Sequence, residues 1–354
     1  MQQTLLLLAT SMTLLSLVFM AHMVLNDSFE RRPRPVVLKN AVENPTFTES
    51  CYDYKNFTAE NVCCRMNKYI ASDVLQCVKR YNDNQILHSG KAANTIFQAN
   101  STDLTAVTHI ALVGDSHMRN MFVSIAQRAG GDKLQFRMKF EKDAWREAEK
   151  ELHMMRTKKL KHTVEVRHAS LPFRVTWYTD WKLDGFPELI RRWEANEELR
   201  PSLVITGGGL HWMKTNPPRT GAPYRAFLAS LAPHLRRLAA AAPVYFKLID
   251  FVPRSYTQVK KYPNFNPRAI SLYNSIARQQ LQGTGVVVWD STLRLSTAYT
   301  EECVRSNRVT PGSHDWNCPD NGHIGFIMLE QYTDMVYNAF CNRFLNLTDD
   351  FCDI

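Results

Sequence analysis

From Thr108 onward the chain repeats one pattern: a short apolar run, a hinge of small or polar residues, then a longer stretch with apolar residues three or four apart. The apolar runs are HIALVG from His109, SLVITGG from Ser202, PVYFKLIDF from Pro243 and GVVVWDS from Gly285. Between and after them, helical spacing marks MRNMFVSIAQRA from Met118, PELIRRWEANEEL from Pro187 and PRAISLYNSIARQQLQG from Pro267, with a long last helix from Gly322 to Leu345. A helix from Tyr224 to Ala241 is expected to break near Pro233, which has no N–H to give. Apolar strands without polar alternation must be covered on both faces, and strands separated by helices pair in parallel. The fold class expected over residues 106–354 is therefore α/β, a three-layer open parallel sheet. His162–Tyr178 stands apart, alternating at period two as a hairpin or a pair of strands would. In such sheets ligands collect beyond the carboxyl ends of the strands.

Upstream the chain changes character. Thr4–Leu25 carries no charge over 22 residues, long enough to cross a bilayer. Residues 1–25 read as a signal anchor or as a cleaved signal peptide, although no basic leader or small-x-small cleavage site is present. Residues 26–50 read as a stem stiffened by RRPRP, and residues 51–105 as a small cysteine-rich cap. The eight cysteines are Cys51, Cys63, Cys64, Cys77, Cys303, Cys318, Cys341 and Cys352, with none between Cys77 and Cys303. That grouping implies disulfides at the flanks of a core, whereas zinc would need paired C-x-x-C spacing. Glycosylation sequons stand at Asn26, Asn56, Asn100 and Asn346. Arg31, Arg32 and Arg34 follow the apolar stretch, which by the positive-inside rule would leave the body cytosolic. Cysteines and sequons together outweigh that signal. The expected placement is a single-pass type II membrane protein of the Golgi or secretory pathway with its body lumenal, or a secreted protein after cleavage. The net charge of +9 is spread in short runs, a mildly basic surface suited to acidic glycans or a membrane face. No nucleic-acid motif accompanies it, so nucleic acid is not an expected partner.

Ser116 follows the first apolar run and opens a helix, where backbone N–H groups and the helix dipole meet. Asp115 or Ser116 there is either a helix cap or, for the serine, a nucleophile that needs a base within hydrogen-bond reach. HDWNCPDNGHIG places Asp320 three residues before His323 at the start of the last helix. That spacing lets a carboxylate orient Nδ1 and leave Nε2 for the serine proton; the alternative is a capping Asp320 or Asn321 and a surface His323. ITGGGLHWM ends another strand, and Gly207 and Gly208 there can turn N–H groups toward an oxyanion, or simply form a tight turn on which His211 and Trp212 pack. His109, His168 and His234 read as structural or solvent-facing. There is no G-x-S-x-G elbow, H-E-x-x-H, Walker loop or G-x-G-x-x-G, which argues against α/β-hydrolase, zincin, NTPase and dinucleotide-binding readings.

GDSHMRN with a late DNGH resembles the SGNH/GDSL hydrolase superfamily, and more narrowly its PC-esterase branch, which includes trichome-birefringence-like and sialate O-acetylation proteins. Arg119 and Asn120 match the branch's x-x-R-N, Asp320 and His323 its D-x-x-H, and Thr206-Gly207 with His211-Trp212 its TG-(x)-HW element. The cysteine-rich segment and single amino-terminal anchor fit as well. The resemblance implies Ser116, His323 and Asp320 as nucleophile, base and orienter, with Asp115, Arg119, His211 and Trp212 as substrate-pocket candidates. It implies an O-acyl, chiefly O-acetyl, esterase or transferase acting on a glycan or acylated small molecule, with no cofactor or metal beyond an acyl donor such as acetyl-CoA if it transfers. The superfamily's oxyanion asparagine is missing from ITGGG, and Gly130 and Gly131 are only candidates for its separate oxyanion glycine. That departure leaves a second reading, a catalytically inactive glycan-binding or adaptor protein.

Overall fold

The computed structural model describes residues 52–55, 58–61, 66–89, 107–130, 133–139, 144–157, 162–215, 220–252, 264–306, 315–320 and 322–345. The expected membrane span and stem lie outside these residues, as do Cys51, Cys63, Cys64, Cys352, Gly131, Asn321 and the sequons at Asn26, Asn56, Asn100 and Asn346. Among the described residues no helix is long and apolar enough to cross a membrane.

Strands β1 (Tyr52–Lys55) and β2 (Thr58–Asn61) form an antiparallel pair ahead of helix α1 (Ala71–Ser89). Then follow β3 (Thr108–Gly114), α2 (Ser116–Arg128), β4 (Leu134–Met138), β5 (Arg146–Glu147), α3 (Ala148–Thr157), β6 (Val164–His168) and β7 (Phe173–Thr179). The second half contains α4 (Phe186–Glu194), β8 (Leu203–Gly207), α5 (Leu210–Thr215), α6 (Ala222–Ala241), β9 (Val244–Lys247), α7 (Pro267–Leu281), β10 (Val287–Trp289), α8 (Thr292–Arg305) and α9 (Phe326–Leu345).

One eight-stranded sheet, in the order β10-β9-β8-β3-β7-β6-β4-β5, runs through the molecule. The strands from β10 to β7 are parallel, and they include all four apolar runs. The expectation of a parallel sheet fails at the other edge, where β6, β4 and β5 pair antiparallel. Only residues 169–172 join β6 to β7, too few for a crossover, so the period-two stretch folds back as a hairpin. The layers follow from β3, which is buried throughout. Ile110 and Leu112 face a core shared with α2, α3 and α9, while Ala111 and Val113 face one shared with α4, α6 and α7. The expected break in α6 does not occur, and the helix continues through Pro233. Leu228, Leu231, Leu235 and Leu238 bury one continuous stripe, and this packing offsets the hydrogen bond that the proline forfeits.

The segment ahead of β3 shares the first of these cores. Tyr54, Tyr69, Val74 and Cys77 are buried with residues of α2 and α9. The Tyr69 hydroxyl donates to Asn342 Oδ1 at 2.6 Å, Asn338 Nδ2 donates to the Asn67 carbonyl at 2.7 Å, and Cys77 is disulfide-bonded to Cys341. A second disulfide joins Cys303 on α8 to Cys318.

His109, 1 % exposed on β3, has Nδ1 3.1 Å from the Leu199 carbonyl and Nε2 3.0 Å from Thr176 Oγ1. Burial pushes its pKa down to about 3, and the Lys139 charge adds to the effect. The folded protein therefore keeps His109 neutral while the unfolded chain takes up a proton below about pH 6.5. Stability should fall as pH drops from there toward the folded value, by up to about 1.4 kcal/mol per pH unit from this residue. Urea unfolding at several pH values in this window should show a shallower slope for His109→Gln; an unchanged slope would contradict the assignment.

Candidate active site

Two neighbouring strand ends and the loop ahead of α9 build the site. At the end of β3, Gly114 has φ +150°, and a Cβ there would lie 2.7 Å from Met118 Cγ and 2.8 Å from the Gly207 carbonyl oxygen. Only glycine permits that bend and that approach. Asp115 then caps α2, its Oδ1 accepting the His117 N–H at 2.9 Å. Burial raises the Asp115 pKa, opposed by that N–H and by nearby His211, His323 and Lys247. With Asp115 as the cap, the Ser116 hydroxyl is left to pair elsewhere, and it lies 2.7 Å from His323 Nε2.

His323 arrives on a pinned loop. Cys318 ties the loop to α8, Trp316 stacks on Tyr299 at 5.2 Å, and the Tyr299 hydroxyl accepts the N–H of Asn317 (3.0 Å) and of Gly325 (3.1 Å). A Cβ on Gly325 would come within 2.1 Å of the Asp315 carbonyl oxygen, so the loop closes only around glycine. Asp320 Oδ1 accepts the backbone N–H of Gly322 (2.8 Å) and His323 (3.1 Å). Its Oδ2 lies 2.9 Å from His323 Nδ1 and accepts from Asn317 Nδ2 at 3.3 Å. The two residues therefore meet on a turn ahead of α9, which begins at Phe326 and not at Gly322 as the sequence pattern had implied. An aspartate that bonds backbone N–H groups two and three residues on makes this turn itself. Burial works against the Asp320 charge, but the hydrogen bond and charge of His323 and the two backbone N–H groups hold the carboxyl well below the usual range.

The end of β8 supplies the third wall. Gly207 pairs in register with Gly114, and Gly207 and Gly208 line a small cleft of about 20 Å³ with Asp115, His117, Met118 and Lys247. Both glycines thus stand beside the serine turn. Gly130 does not: it follows the far end of α2, about 20 Å from Ser116 at 1.5 Å per residue. Arg119 is buried and donates from Nε and Nη2 to Asn120 Oδ1 at 3.1 and 2.9 Å. Trp212 stacks on Phe227 at 4.9 Å and donates from Nε1 to the Lys182 carbonyl at 3.1 Å. His211 is half-buried beside Trp181, its pKa lowered by burial, within electrostatic reach of Asp115 and His323.

A buried charged cluster behind the Ser116–His323 contact escaped the sequence reading. The His117 ring stacks on that of His323 at 5.1 Å, and its Nδ1 lies 4.0 Å from Asp250 Oδ2. Asp250 Oδ2 lies 2.6 Å from Lys247 Nζ, and Oδ1 accepts the Tyr332 hydroxyl at 2.9 Å. Burial, helped by the His323 charge, pushes His117 down to about 3, so its ring is neutral at neutral pH. The signal was present in PVYFKLIDF, where a lysine and an aspartate interrupt an apolar run. Charges so placed need each other. Among the described residues no group of histidines, cysteines and carboxylates could hold a metal ion.

No family model matches the chain, and no curated protein sequence matches it significantly. Solved structures show distant likenesses. The acetylxylan esterase Axe2 from Geobacillus stearothermophilus aligns at 14% identity over 66% of this chain and 94% of its own, with a TM-score of 0.35. A lipase/acylhydrolase from Enterococcus faecalis aligns at 13% identity over 70% of this chain and 100% of its own, with a TM-score of 0.36.

Proposed function

We propose that the protein is a serine-dependent O-acyl ester hydrolase whose nucleophile, base and orienter are Ser116, His323 and Asp320. The observation that carries this reading is the unbroken relay from Ser116 Oγ through the His323 ring to Asp320 Oδ2, at 2.7 and 2.9 Å. Ser116 Oγ attacks the acyl carbonyl carbon as its proton passes to His323 Nε2. Asp320 stabilises the resulting imidazolium. The tetrahedral oxyanion is received by backbone N–H groups at the start of α2 and at Gly207–Gly208. His323 returns the proton to the leaving alcohol, and the acyl group stays on Ser116. Water, activated by the same histidine, then releases the acid and restores the serine. A sugar hydroxyl in place of that water would make the enzyme a transferase, with an acyl donor such as acetyl-CoA loading the serine. The substrate class we infer is an acetylated glycan or glycoconjugate met in the secretory lumen, a placement supported by the cysteines and sequons of the sequence.

The test is release of 4-nitrophenol from 4-nitrophenyl acetate by the purified protein. Asp320→Asn keeps the shape of the relay and removes the charge, and should lower kcat/KM by about 10²–10³. That is milder than for a fully buried aspartate, because the Asp320 side chain is 34 % exposed. Unchanged turnover in this variant would remove Asp320 from the relay.

A further inference from the structure

We propose that Trp181 is the platform of a sugar subsite at the mouth of this site, receiving the apolar C–H face of the pyranose that carries the acyl group; the proposal rests on the ester-hydrolase reading. Thr179 and Gly207 are the register partners of Gly114 on its two sides, so the chains leaving β7, β3 and β8 emerge together. Ser116 lies two residues beyond Gly114, Trp181 two beyond Thr179 and His211 four beyond Gly207. The Asp180 N–H donates to the Gly114 carbonyl at 3.1 Å, which ties the tryptophan's own loop to the serine turn.

That loop is built to hold a side chain outward. Asp180 accepts the N–H of Asp184 (3.0 Å) and of Gly185 (2.9 Å), Leu183 is buried beneath it at φ +65°, and the Lys182 carbonyl takes the Trp212 indole N–H. The His211 ring meets Trp181 edge-on at 4.8 Å and fixes its tilt. Trp181 nevertheless stays 37 % exposed, the one aromatic among the exposed large hydrophobic residues described. The others, Ile70, Val287 and Val304, sit ahead of α1, on β10 and on α8. An acyl chain or a protein partner would need apolar surface that continues beyond one ring. Here one flat ring is flanked by the polar His211 ring, while the Lys182 ammonium lies over the neighbouring Trp212, and the ligand that matches has a flat apolar face and a polar edge. A pyranose has both, and His211, which touches Trp181, is within electrostatic reach of Asp115 and His323 on the other side, so the seat adjoins the serine.

The experiment compares kcat/KM on glucose pentaacetate, a pyranose ester, with that on triacetin, an acetyl ester without a ring. The proteins are the full-length wild type, Trp181→Ala and Trp181→Phe. Trp181→Ala should lose roughly tenfold more on the sugar ester than on triacetin, mostly through KM, and Trp181→Phe should recover most of the loss. Equal losses on both esters, or none on the sugar ester, would overturn the subsite. If the wild type turns over neither these esters nor 4-nitrophenyl acetate, the ester-hydrolase reading fails by itself. Calorimetric titration of Ser116→Ala with glucose pentaacetate then decides the subsite. Binding that disappears when Trp181→Ala is added supports it, and no binding, or binding that survives, overturns it.

Discussion

Ser116→Ala should lower kcat/KM on 4-nitrophenyl acetate by about 10⁴–10⁶, and His323→Ala by a similar factor. Serine is a poor nucleophile without a base, and the base has nothing to deprotonate without the serine. The 2.7 Å contact between Ser116 Oγ and His323 Nε2 makes them parts of one step. The double variant should therefore be little worse than either single one. Losses that multiply in the double variant would mean that the two residues act independently, and full activity in His323→Ala would return Ser116 to the role of a helix residue beside its cap.

Lys247→Met should destabilise the protein by about 3–5 kcal/mol, because it strands a buried carboxylate. Asp250 has no exposed side-chain surface and Lys247 only 3 %. Removing the ammonium leaves Asp250 with the Tyr332 hydroxyl and a neutral His117 ring at 4.0 Å. Adding Asp250→Asn removes the stranded charge and should restore most of the loss, since replacing a buried pair as a whole is far less costly than breaking it. Denaturant unfolding of the two variants reads the difference directly. A single variant within about 1 kcal/mol of wild type would mean that water reaches the pair.

The parts of this site that could be read from the sequence are those where one residue type admits few uses at its position. Ser116 after a buried strand and Asp320 three residues before His323 were visible as local patterns, and each had a plain capping alternative. What separates the alternatives is not local. Asp115 takes the cap, and the loop carrying His323 is held by Cys303 and Tyr299 of α8, from elsewhere in the chain. The buried apolar runs announced the parallel half of the sheet. The antiparallel edge depends on the shortness of the connection between β6 and β7, which the alternation of the strands left open. Lys247, Asp250 and His117 were hard to connect because they come from β9, the chain just after it and α2, and only the fold brings the three together. Pro233 misled for the opposite reason: local chemistry argued for a break, and the buried leucine stripe of α6 prevailed.

The most direct test of the central claim is covalent labelling with a fluorophosphonate, which reacts with a serine only where a base activates it. Peptide mass spectrometry should find the phosphonyl group on Ser116 in the wild type and none in His323→Ala. A folded wild-type protein that takes up no label, or takes it on another serine, would contradict the account.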